Sequence, residues 1–189
     1  MEELEPKNEK IKKSKKKKDE SRSIETMFRT TLANHIQLSN MADQKAGLMI
    51  SVNSIIISII VSFSVKGFSD NQKLILPTAL LIATCLLTII FAIIATKPSV
   101  KAHKKLSIEE MDLLFFGHYT KLSLDEYKVA IHALIKDKVA LRDQMTSNIY
   151  AQGKILAKKY RLLKIAYIVF MIGFPVVITA YFLVLFELI

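Results

Sequence analysis

The stretch MADQKAGLMISVNS, Met41 to Ser54, joins two kinds of chemistry. Asp43, Gln44 and Lys45 bring an acid, an amide and a base to the mouth of a long apolar run, and Gly47, Ser51, Asn53 and Ser54 follow inside it. On a helix Asp43, Gly47, Ser51, Ser54, Ser58 and Ser62 recur at steps of three and four, so they share one face. Thr84, Thr88, Ala92 and Thr96 do the same in a second run. Small and hydroxylated faces let helices approach closely in lipid and hydrogen-bond across the contact. The other reading is that, in an oligomer, the Ser-rich face lines a wettable path, because polar residues in spans face cavities. Both readings stay open at this point. Asp43 and Lys45 are read as boundary or gating residues: Lys45 snorkels toward the polar surface, and Asp43 pairs with Arg29 or with a base preceding the last apolar run.

The residues offer little to catalysis. His35, His103, His118 and His132 are scattered, with no HExxH pattern, no His-Asp dipeptide and no glycine-rich phosphate loop. Cys85 is the sole cysteine and lies within an apolar run, so neither a disulfide nor a cysteine metal site is expected. The expectation is no enzyme, no metal and no resident cofactor.

The elements that carry these residues follow from charge segregation. Of 189 residues 51% are hydrophobic, yet the formal net charge is +10. The two are compatible because no Lys, Arg, Asp or Glu occurs between Lys45 and Lys66, between Lys73 and Lys97, or between Lys164 and Glu187. Each run is about 20 residues or slightly more, enough to span about 30 Å of hydrocarbon as a helix. The fold class is therefore all-α: an integral membrane helical protein with three transmembrane helices, over 46–65, 74–96 and 165–186, and a helical cytosolic region formed by helix extensions.

Residues 1–23 hold a basic Lys12–Lys18 cluster and few large apolar side chains, and are expected to be disordered. They are not a secretory signal, because no apolar run follows the basic cluster directly. Ile24, Phe28, Leu32 and Ile36 then begin a helical stripe, so 24–45 forms an arm continuous with the first span. Turn formers over 66–73 make an external loop, and 97–164 forms a polar segment with 14 Lys+Arg against 7 Asp+Glu. Its bases crowd both membrane edges, which places this segment and the N-terminus in the cytoplasm. Two capping boxes, SIEE at Ser107 and SLDE at Ser123, mark helix starts. The second helix has Tyr127, Ile131, Leu134, Leu141, Met145, Asn148, Gln152 and Leu156 in one stripe; it runs on into the last span, with Gly153 its weak point and Pro175 a bend.

Three segments, MFRTTLANHIQLSNMADQKAGLMISVNSIIIS, LLFFGHYTKLSLDEY and LAKKYRLLKIAYIVF, taken in order, resemble the membrane effector family of Pycsar, a bacterial antiphage system. The similarity runs from about Met27 to the C-terminus. It implies an effector in the bacterial inner membrane, activated by a cyclic pyrimidine mononucleotide, cUMP or cCMP, that a partner nucleotide cyclase makes on infection. Activation impairs membrane integrity and aborts the infection. A related form carries an HD phosphohydrolase domain, which this chain lacks. A monoanionic cyclic nucleotide calls for cations at its phosphate and amides or hydroxyls at its base edge. Arg29, Asn34, His35, Lys158, Lys159 and Arg161 are the candidate ligand residues on that footing. Further expected partners are the lipid bilayer and other copies of the chain in a homo-oligomer; no nucleic acid is expected. The alternative is a structural or regulatory membrane subunit of a neighbouring enzyme, without ligand-gated permeability.

Overall fold

The computed structural model describes residues 5–70, 72–98 and 111–186. Among these residues the secondary structure is helical, with no strand: α1 (Glu5–Asp70), a 3-10 turn (Gln72–Leu74), α2 (Ile75–Thr96), α3 (Phe116–Tyr119), α4 (Leu124–Lys136) and α5 (Lys138–Leu185). Stretches long and apolar enough to cross a membrane lie in Asp19–Phe63, Gln72–Thr96 and Lys138–Val184. The protein is all-α, with three membrane-capable helices.

Several boundaries differ from the sequence expectation. α1 begins at Glu5, inside the segment expected to be disordered. Lys and Glu are strong helix formers, no glycine occurs there, and Pro6 falls in the first turn, where its missing N–H costs nothing. α1 also continues to Asp70, so much of the 66–73 loop is helical backbone, and the 3-10 turn Gln72–Leu74 leads into α2. The SIEE box lies outside the described residues.

The SLDE box forms as expected. Ser123 Oγ accepts from the Glu126 N–H at 3.3 Å, and the Glu126 carboxylate accepts from the Ser123 N–H at 2.8 Å. The expected single helix beyond it is broken at Asp137, whose Oδ1 accepts from the N–H groups of Val139 and Ala140 at 2.9 and 3.1 Å. Asp137 thus caps the next helix, as a short acceptor side chain does at an N-terminus. α5 passes through Gly153 and Pro175 without interruption.

The chain divides into two compact units. The span unit comprises Leu38–Ser99 and Lys154–Ile189, and the arm unit Met1–Gln37 and Val100–Gly153. The core of the span unit is built from Ala42, Ala46 and Met49 of α1, Ala92 and Ala95 of α2, and Leu163 and Ala166 of α5. In lipid, burial of apolar surface gives no advantage over lipid tails, so close packing must hold the helices, and alanines permit the close approach. In the arm unit Phe28, Leu113 and Asn148 are buried. Of the apolar group expected to need cover, Leu113 is buried and Phe115 half-buried, whereas Leu114 and Phe116 are exposed.

Candidate functional site

In the arm unit, α5 presents Gln144, Asn148 and Gln152 at steps of four, so the three amides stand along one face. Asn148 Nδ2 donates to Asp112 Oδ2 at 2.7 Å, and Gln152 Nε2 donates to Asn148 Oδ1 at 2.6 Å. Gln144 Nε2 donates to the Met111 carbonyl at 2.8 Å. The segment leading into α3 is drawn into the same network: Leu114 N–H donates to Asp112 Oδ1 at 2.9 Å, and Asp112 N–H to His118 Nδ1 at 3.0 Å. Phe115 packs edge-on against the His118 ring at a centroid distance of 5.4 Å.

These partners decide how each amide is turned. A carboxylate or a carbonyl can only accept, so Asp112 and Met111 force the Asn148 and Gln144 nitrogens toward themselves and leave the oxygens facing away. The Asn148 oxygen then meets Gln152. The Gln144 Oε1 is buried and has no hydrogen-bond partner among the described residues. His35 Nδ1 is in the same condition, and its ring lies against Gly153, where an added Cβ would stand 3.5 Å from His35 Cε1. Each such buried, unpaired polar atom costs about 1–3 kcal/mol.

In the span unit the polar centre is Lys159. Its Nζ donates to Asp43 Oδ1 and Oδ2 at 2.8 and 2.9 Å and to Ser39 Oγ at 2.9 Å. Next to it the Tyr160 hydroxyl donates to the Leu38 carbonyl at 3.1 Å. Two consecutive residues of α5 therefore clasp α1 one turn from the Ala42 and Ala46 packing.

Several hydroxyls of the spans are satisfied locally. Ser58 donates to the Ser54 carbonyl and Ser62 to the Ser58 carbonyl, at 2.9 and 2.8 Å, and Thr84 and Thr88 do the same on α2, each at 2.9 Å. Spending the O–H on the helix's own backbone lets the residue meet lipid without an open donor. Ser51, Ser54, Ser58 and Ser62 are exposed, and an added Cβ on Gly47 would meet nothing within 4 Å. Packing within the chain uses the adjoining face, Ala42, Ala46, Met49 and Asn53, about 100° around the helix. Asn53 is fully buried; its Nδ2 donates to the Met49 carbonyl at 2.8 Å, and its Oδ1 has no partner among the described residues. On α2 the small face does pack, since Thr88 and Ala92 are fully buried.

Among the sequence candidates, Arg29, Asn34 and His35 belong to the arm unit and Lys158, Lys159 and Arg161 to the span unit. Arg29 pairs with Glu25 at 3.0 Å on an exposed surface, and Asn34 is exposed. Lys158 and Arg161 are exposed, and Lys159 is held by Asp43. Of the two kinds of partner considered for Asp43, the base before the last span is the one it meets. Lys45 is exposed. Asp112, Gln144 and the hydrogen-bonding role of Asn148 and Gln152 escape sequence reasoning. The signal for them is two amides placed in an otherwise apolar stripe, which packing alone does not require.

Among the described residues no group of His, Cys, Asp and Glu is placed to hold a metal ion. No curated protein and no solved structure matches the chain. A sequence model of the Pycsar effector protein domain, PycTM, matches residues 26–186, which takes in the whole of α2 to α5 and most of α1, and so parts of both units. With its match across most of the length, the chain belongs to the Pycsar effector family, the effectors of antiphage cyclic nucleotide signalling.

Proposed function

We propose that the chain is a membrane effector that binds a cyclic pyrimidine mononucleotide, cUMP or cCMP, made by a partner nucleotide cyclase, and in response impairs the inner membrane and aborts phage infection. The observation that carries this reading is the family match over 26–186, a region that takes in the second and third membrane-capable stretches, most of the first, and most of the polar arm unit. The excess of bases at Lys97, Lys101, Lys104 and Lys105 and at Lys154 to Lys164 supports a cytoplasmic arm unit and N-terminus. A signal made in the cytoplasm then meets the polar unit directly. Three helices are too few to enclose water, so a defined lesion requires several copies. The chain itself acts on no substrate in this reading; it converts ligand binding into permeability.

The test is dye release from liposomes that hold the purified chain. Micromolar cUMP or cCMP is expected to release the dye, and neither is expected to do so from protein-free vesicles. Intact, helical, correctly inserted protein that releases nothing with either nucleotide would sink the reading.

A further inference from the structure

We propose that the outward face of α5, at the edge of its membrane-capable stretch, binds the phosphate groups of anionic lipids through Lys158, Arg161 and Lys164. At about 100° per residue, Lys159, Leu163 and Ala166 fall on one side of α5 and these three bases on the other, the two centres roughly 165° apart. The first side is spent inside the span unit: Leu163 and Ala166 are buried in its core, and Lys159 holds Asp43. On the second side all three bases are exposed. Each is three residues from the next, the spacing of neighbours on a helix surface, so two of them reach one phosphate.

Charge and hydropathy along this face name the occupant. Residues 154–186 contain no Asp or Glu, and Asp43 is already taken by Lys159. Among the described residues no acid pairs with Lys158, Arg161 or Lys164. Toward the C-terminus the same face continues as Ile168, Met171 and Ile172, all exposed, so it turns from basic to apolar within about one turn. Cations directly beside an outward apolar face stand at the level of the lipid headgroups, where they attract anionic lipids. Arg161 adds a planar fork that fits two phosphate oxygens at once. The positive-inside tendency concerns which end of a span carries bases and asks nothing of which side of the helix they occupy. Lys159, in the same cluster, shows the other arrangement, turned inward and paired with an acid.

Native mass spectrometry of the full chain, released from non-ionic detergent that holds equal amounts of phosphatidylglycerol and phosphatidylcholine, tests this. Wild type is expected to retain the anionic lipid about tenfold more than the zwitterionic one. Lys158→Gln combined with Arg161→Gln and Lys164→Gln is expected to bring the ratio to within about twofold of one. Lys136→Gln combined with Lys138→Gln and Arg142→Gln removes the same charge from exposed positions of the arm unit, and is expected to keep the wild-type ratio. No preference in wild type, or a preference that survives the first triple variant, overturns the proposal. An equal fall in both triple variants overturns it as well, because net charge and not this face would then select the lipid. If millimolar cUMP or cCMP strips phosphatidylglycerol from wild type, the three cations serve the nucleotide's phosphate and the lipid assignment falls, while the proposed function stands. Should the first triple variant not fold, Arg161→Gln decides alone: the ratio falls about threefold, or the proposal is overturned.

Discussion

An ammonium group has three protons, and Lys159 spends all of them on Asp43 and Ser39. The two charges are not equally placed, since the Lys159 side chain is 14% exposed and that of Asp43 44%. Water can reach the acid more easily than the base. Removing the acid therefore strands a poorly solvated charge, whereas removing the base leaves one that water can serve. Asp43→Ala is expected to cost about 2 kcal/mol and Lys159→Met about 1 kcal/mol, read from thermal unfolding in detergent. The reverse order would show that the clasp does not work through desolvation. At Glu126 the Ser123 backbone N–H, and then its hydroxyl, hold the carboxyl below its ordinary range. A depressed folded value means that the contribution exists above the unfolded pKa, about 4.3, and disappears as pH falls through the folded one. The start of α4 should lose amide protection on acidification below about pH 4 in wild type, and Glu126→Gln should flatten that dependence. Hydrogen exchange over Leu124–Tyr127 measures it.

At the scale of helices, α2 and α5 meet where Gly173 faces Thr84. A Cβ on Gly173 would lie 2.6 Å from Thr84 Cγ2 and 3.2 Å from its Oγ1. Threonine is β-branched and stiff, so it has no flexible tip to swing aside. Gly173→Ala is expected to destabilise the span unit by about 1–3 kcal/mol. Thr84→Ala in the same chain should recover most of it, because the remaining Thr84 Cβ would stand at an ordinary 3.5 Å. Unfolding of the two single variants and the double variant closes the cycle. α4 and α5 make the complementary point about legibility. Their separate starts are written as Ser123 and Asp137, but only the first carries a capping box, so helical periodicity by itself predicts one continuing helix. A lone cap lacks the reciprocal Glu that makes a box conspicuous.

At the scale of the molecule, the three membrane helices pack on Ala-lined surfaces, and much of their remaining apolar surface faces outward. The Ser face of α1 is part of that outward surface, with the Ser58 and Ser62 hydroxyls bonded to its own carbonyls. Among the described residues it therefore packs against no other helix of the chain. If it lines a path between copies, Ser54→Leu with Ser58→Leu should reduce nucleotide-triggered dye release from liposomes at least tenfold without lowering nucleotide affinity. Unchanged release would show that the face meets only lipid.

Charge segregation alone determined that this chain has three runs long and apolar enough to cross a membrane as helices, because a charge in hydrocarbon is costly wherever the neighbours are. Spacing along single helices likewise showed which residues share a face. It could not show which face packs: Ala46 and Gly47 are neighbours in sequence, yet one is buried and the other exposed. That choice depends on the shape of α2 and α5. The same holds for the polar groups. Asp43 and Lys159 are 116 residues apart and Asp112 and Asn148 are 36 apart. No local pattern pairs them. Only the packed helices bring the acid to the base and turn each amide toward its acceptor, which is what leaves Gln144 Oε1 open.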